Sequence, residues 1–82
     1  MEHLFTYRYI YREELRSIFV QYIDGSVNAT DHNGNLHNLT YNADTETLTG
    51  PGQLAESHRR AIAGIIATAI AQVEATLIWA NP

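Results

Sequence analysis

The side chains of this sequence best suited to chemistry are its four histidines, five arginines and five tyrosines, and they fall into three groups. Asp31, His32 and His37 bracket the dipeptide Asn33-Gly34, where one carboxylate and two imidazoles would offer oxygen and nitrogen ligands to a divalent metal. Their spacing matches neither an HExxH helix nor an EF-hand loop, so polar residues around a turn are the simpler reading, and no metal or cofactor is implied. His58, Arg59 and Arg60 form the second group, close to where a helix should begin. Two guanidinium groups there work against the helix macrodipole, which already carries positive partial charge at that end. Such a placement suggests an anion or an acidic partner, or ion pairs with Glu56 or Glu46.

The third group sets tyrosines beside Arg8, Arg12 and Arg16, a combination that in other proteins stacks on nucleotide bases. The formal net charge of −4 argues against direct nucleic-acid binding, because neutralising phosphates supplies most of that affinity. Nucleophilic catalysis finds no footing either. The sequence has no cysteine, no GxSxG elbow and no glycine-rich phosphate loop, and Ser57 and His58 are adjacent on a helix, so their side chains diverge. A non-enzymatic protein is expected.

The elements that would position these residues are legible from periodicity. Phe5, Tyr7, Tyr9 and Tyr11 alternate with Leu4, Thr6, Arg8 and Ile10, the period-two pattern of a strand. Residues 15–23 also fit a helical spacing, but their β-branched and aromatic content and the Asp24-Gly25 turn that follows favour a strand. Asn33-Gly34 and Ala43-Asp44 continue the turn signals at the interval of a meander. The expected fold is α+β, an antiparallel β-meander of four to five strands at about 4–12, 15–23, 26–31, 36–42 and 45–49. After the break at Thr49-Gly50-Pro51-Gly52, an alanine-rich helix over about 53–79 covers one face of the sheet.

Folding the ladder about Glu13-Glu14 sets Tyr7 opposite Val20 and Tyr9 opposite Ile18. The Asp24-Gly25 turn sets Tyr22 opposite Val27 and Val20 opposite Ala29. An odd Asn33-Gly34 loop then sets Ala29 against Leu39, which in turn faces Leu48 across Ala43-Asp44. One face so collects Phe5, Tyr7, Tyr9, Ile18, Val20, Tyr22, Val27, Ala29, Leu39, Tyr41 and Leu48 as the core, to be covered by Leu54, Ile62, Ile65, Ile66, Ala69, Ile70, Val73 and Leu77.

What remains outside that core indicates function. The opposite sheet face carries Leu4, Ile10, Phe19, Ile23 and Leu36 among polar residues, with Leu4, Ile10 and Phe19 expected as neighbours. The helix has a second surface of small residues, Ala63, Gly64, Ala67, Thr68, Ala71 and Ala75, that would let another backbone approach closely. An 82-residue chain without disulfides has one modest core, and burying surface against another chain is the usual route to more stability. The sequence is therefore read as a single domain, a small cytoplasmic interaction protein such as an inhibitor or adaptor, with a phage-encoded inhibitor of a host defence system as one setting. A protein partner would engage Leu4, Arg8, Ile10, Glu13, Glu14 and Phe19, and two copies would pair through the C-terminal helix. The alternative is a homodimer enclosing a nucleotide or other anion at His58, Arg59 and Arg60. Residues 61–80 are too polar and alanine-rich for a membrane span, and no signal-peptide core follows Met1, so no membrane is expected.

Overall fold

A computed structural model describes residues 2–51 and 54–80, with 75–80 in backbone only. Five strands, β1 (Glu2–Tyr11), β2 (Glu14–Ile23), β3 (Ser26–Thr30), β4 (Leu36–Asn42) and β5 (Thr47–Thr49), precede one helix, α1 (Glu56–Ala80). The strands form a single antiparallel sheet in the order β1-β2-β3-β4-β5, so β1 and β5 are its edges. The α+β meander with a C-terminal helix is thus present, and 15–23 is strand, its helical spacing overridden by sheet pairing.

Three of the four registers differ from expectation, each by two residues. β1 and β2 are joined by Arg12-Glu13, both in the left-handed region (φ 50° and 65°), so Tyr7 pairs with Ile18 and Phe5 with Val20. The hairpin closes one residue earlier than a turn on Glu13-Glu14, which moves every pair by two positions. At Asp24-Gly25 the register is the expected one, Tyr22 with Val27 and Val20 with Ala29. The next loop closes tightly over His32, Asn33 and Gly34: the Asp31 N–H donates to Asn35 O and Gly34 N–H to Asp31 O, both at 2.9 Å. Leu39 therefore pairs with Val27, not Ala29. The β4–β5 connection spans four residues rather than two, because Asn42 Oδ1 accepts from the Asp44 and Thr45 amides. Tyr41, not Leu39, then faces Leu48.

These shifts are all by two, and side chains alternate with a period of two, so the expected inward face is preserved. Ile18, Val20, Tyr22, Val27, Ala29, Leu39, Tyr41 and Leu48 are buried, and Phe5, Tyr7 and Tyr9 pack against them at the margin. The helix contributes Ile62, Ala63 and Ile66 to the core, with Ala67 and Ile70 at its margin, and Leu54 joins from the linker. Ala63 and Ala67 thus face the sheet instead of a second helix, while Ile65, expected inside, is 38% exposed. Leu77 and Ala75 lie outside the residues whose side chains are described, as Gln53 lies outside the described chain.

Candidate functional site

Three side-chain clusters survive once the core is accounted for. The first is the outer face of the sheet. There Leu4 (68% exposed), Phe19 (61%) and Leu36 (59%) line a groove of about 580 Å³ with Thr6, Gln21, Asn28 and Thr30. The register builds it: Thr6, Phe19, Thr30 and Leu36 form one cross-strand row over four strands, and Leu4 sits diagonally beside Phe19, opposite Gln21. Ile10 is not part of this groove, contrary to the expected neighbourhood. The shifted β1–β2 register pairs it with Leu15, and the Arg8–Ser17 pair separates both from Phe19. Leu15 (65% exposed) and Ile10 (74%) make a smaller apolar pair near the hairpin end. Leu15 and Leu36 belong to this face but are not in the partner set expected from sequence. Alternation places Leu36 on this face in the sequence as well, and the outward alternation of Leu15 with Arg16 was the signal that could have found Leu15.

At the hairpin end, Arg12 and Arg16 lie over the Tyr11 ring, their guanidinium carbons 5.2 and 4.6 Å from its centroid. Such stacking is weakly attractive at exposed sites. Arg16 also approaches Glu14 at 3.9 Å, a loose contact with an exposed carboxylate. Glu13 projects from the strained turn into solvent, and Arg8 is exposed on the outer face.

The third cluster lies on the inner side at the start of α1. The imidazole of His58 rests against Tyr9 and Tyr7, with ring centroids 4.2 and 5.6 Å away. Burial lowers the His58 pKa below its ordinary value, and nearby His32 adds to the shift. His32 Nδ1 is 3.5 Å from the Tyr9 hydroxyl. Asp31 does not share a centre with His32. One of its oxygens accepts from the Asn33 and Asn35 amides, and the other meets His37 Nε2 at 2.9 Å. The His37 hydrogen bond, followed by those backbone donors, outweighs partial burial and lowers the Asp31 pKa. Both carboxylate oxygens therefore close the turn, and among the described residues no three His, Asp or Glu side chains converge on a metal position.

His58 does not join Arg59 and Arg60: its ring packs on Tyr7 and Tyr9, whereas both arginines line a second groove, against β5. Arg60 is bound to Glu56 at 2.8 Å, both exposed. That groove, about 380 Å³, also contains Glu46 and Glu56 beside the two arginines. Two carboxylates in that groove oppose an anion.

Comparison with protein-family models, curated proteins and solved structures gives no match. Among the described residues no helix is long and apolar enough to cross a membrane.

Proposed function

We propose that this chain is a non-enzymatic protein-interaction module, an inhibitor or adaptor, that engages a larger protein through the outer face of its sheet. The observation that supports this reading is the Leu4–Phe19–Leu36 groove. Three large apolar side chains, each more than half exposed, line one groove of the outer sheet face, Leu4 diagonal to Phe19 and Leu36 beyond Thr30 in the same row, and no element covers them among the described residues. Scattered exposed hydrophobes are ordinary, but a contiguous set rimmed by Thr, Asn and Gln has the composition of an interface centre. The hairpin end adds charge of both signs through Arg8, Arg12, Glu13 and Glu14, suited to steering and register rather than to affinity.

The reading as an anion-binding dimer has less support. Of His58, Arg59 and Arg60, only Arg59 faces a groove without an ion pair among the described residues.

The test is affinity capture by immobilised protein from a lysate of its own host, with Phe19→Asp and Leu36→Asp variants alongside. A partner retained by the wild type and lost by both variants, whose circular dichroism and melting temperature stay unchanged, supports the reading. A partner held equally well by all three, or none at all, overturns it.

A further inference from the structure

We infer that the free edge of β1 pairs antiparallel with β1 of a second copy, joining two five-stranded sheets into one across a twofold axis at Phe5. The inference does not rest on the outer-face reading; it concerns the edge, not the face.

The β1–β2 turn fixes which way each backbone group of β1 points. In a two-residue hairpin the residues flanking the turn, here Tyr11 and Glu14, form a hydrogen-bonded pair, and bonded and non-bonded pairs then alternate along the ladder. The odd residues His3, Phe5, Tyr7, Tyr9 and Tyr11 therefore direct their backbone groups to β2. Glu2, Leu4, Thr6, Arg8 and Ile10 direct theirs away from the sheet, where β1 has no neighbouring strand. Edge strands are usually shortened, bulged, interrupted by proline or lined with like charges to prevent pairing, whereas the two charges on the outer side of β1, Glu2 and Arg8, are of opposite sign. β1 is ten residues long, contains no proline and pairs with β2 without a bulge from Glu2 to Tyr11.

Charge selects both the occupant and the register. Glu2 and Arg8 are exposed, lie six residues apart on the outer side of the same edge, and have no ion-pair partner among the described residues. A strand whose ends carry opposite charges is complementary to itself when run antiparallel. If Phe5 faces Phe5 of the second copy, Glu2 falls opposite Arg8 in both directions, and Leu4 falls opposite Thr6 as an outward, bondable pair. Moving the register by two residues to either side sets Glu2 against Thr6 or against Ile10 and loses both ion pairs. The Phe5 register also brings Phe5 of each copy together on the inner side. There it sets His3, whose Nε2 is buried without a hydrogen-bond partner among the described residues, beside Tyr7 of the second copy. On the outer side the two Leu4 side chains lie diagonally across the axis, each opposite Thr6 of the other copy, so the two apolar grooves adjoin.

The experiment is native mass spectrometry and sedimentation of the purified full chain up to about 100 μM, a range that detects weak dimers. Wild type is expected at twice the chain mass. Arg8→Glu places like charges opposite each other at two symmetric positions and should weaken the dimer about tenfold. Glu2→Arg combined with Arg8→Glu restores the complementarity and should recover wild-type affinity. Thr6→Pro removes an outward N–H and should abolish the dimer, and amide exchange should show Leu4 and Arg8 protected in the wild type and not in Thr6→Pro. A monomer at the highest concentration overturns the inference. So does a dimer indifferent to Arg8→Glu, or one that the double exchange fails to restore. The charge variants keep the test decisive if Thr6→Pro does not fold.

Discussion

His58 shows how a residue expected to bind an anion can instead be committed to structure. Its ring is packed on two tyrosines, and burial holds its pKa below the ordinary 6.5. A histidine with a depressed folded-state pKa binds its proton more readily when unfolded, so falling pH favours unfolding. Stability should decline as pH drops below about 6.5, the unfolded value, and the decline should end once pH has passed the lower folded value. Melting temperatures measured from pH 8 to 5 check this, and His58→Phe, which keeps the ring contact and removes the charge, should flatten that slope. Asp31 acts in a separate window. Its pKa is lowered, chiefly by His37, so its contribution is present above about 3.8 and is lost as pH falls through the folded value. Asp31→Ala deletes a carboxylate that accepts from two amides and His37, and should cost about 1–3 kcal/mol in urea unfolding at neutral pH. The packing of His58 was not legible in the sequence; Asp31, His32 and His37 were legible as polar residues around a turn, but only the loop geometry shows which partner each takes.

At the scale of the elements, turns decide what could be read. Alternation on β1, β2 and β4 revealed which face is inside, and that survived three misplaced hairpin closures because each error was even. Pair identities survived only across Asp24-Gly25, since they depend on where a turn closes, and Arg12-Glu13 carries none of the usual signals for a left-handed turn. That turn holds two non-glycine residues at positive φ, a conformation costing about 1 kcal/mol or more per residue. Arg12→Asn combined with Glu13→Gly should therefore raise stability by about 1 kcal/mol. If the hairpin end touches the partner, the same exchange should weaken capture, a trade measurable by pairing thermal melts with binding. The break before the helix was legible as Gly-Pro-Gly, and the structure adds a reason for Gly50. Its φ is +152°, and a Cβ there would lie 2.9 Å from Asn38 O and 3.2 Å from the Leu39 Cα. Gly50→Ala should cost about 1–3 kcal/mol, read as a lower urea midpoint, because backbone on β4 cannot yield as a side-chain end could. The direction in which α1 turns its small residues was not legible. Alanines suit either side of a helix, and only the close approach to β5 draws Ala63 inward.

For the whole molecule, the helix and sheet must stand or fall together. Only Ile62, Ala63 and Ile66 of α1 are fully buried among the described side chains, and they close the one core to which β2, β3, β4 and β5 contribute. A domain of this length is held by about 4–12 kcal/mol in total. Truncating a fully buried isoleucine to alanine costs about 2–5 kcal/mol, the spread reflecting how far the cavity collapses. Ile62→Ala or Ile66→Ala should thus consume much of that stability, and the two together should leave the chain unfolded at 25 °C. Ile65→Ala, one residue away but 38% exposed, should change stability by less than about 1 kcal/mol. Because one core serves both elements, helical and aromatic signals should lose their structure at the same urea concentration in each variant. Circular dichroism at 222 nm followed alongside tyrosine fluorescence tests this. Coincident transitions that shift together for Ile62→Ala would establish that the sheet presents its outer groove and its free β1 edge only while the helix is seated. A helical signal that melts first, with the tyrosine signal unchanged, would show that the meander holds its shape without α1 and that the inner face gains an apolar surface of its own.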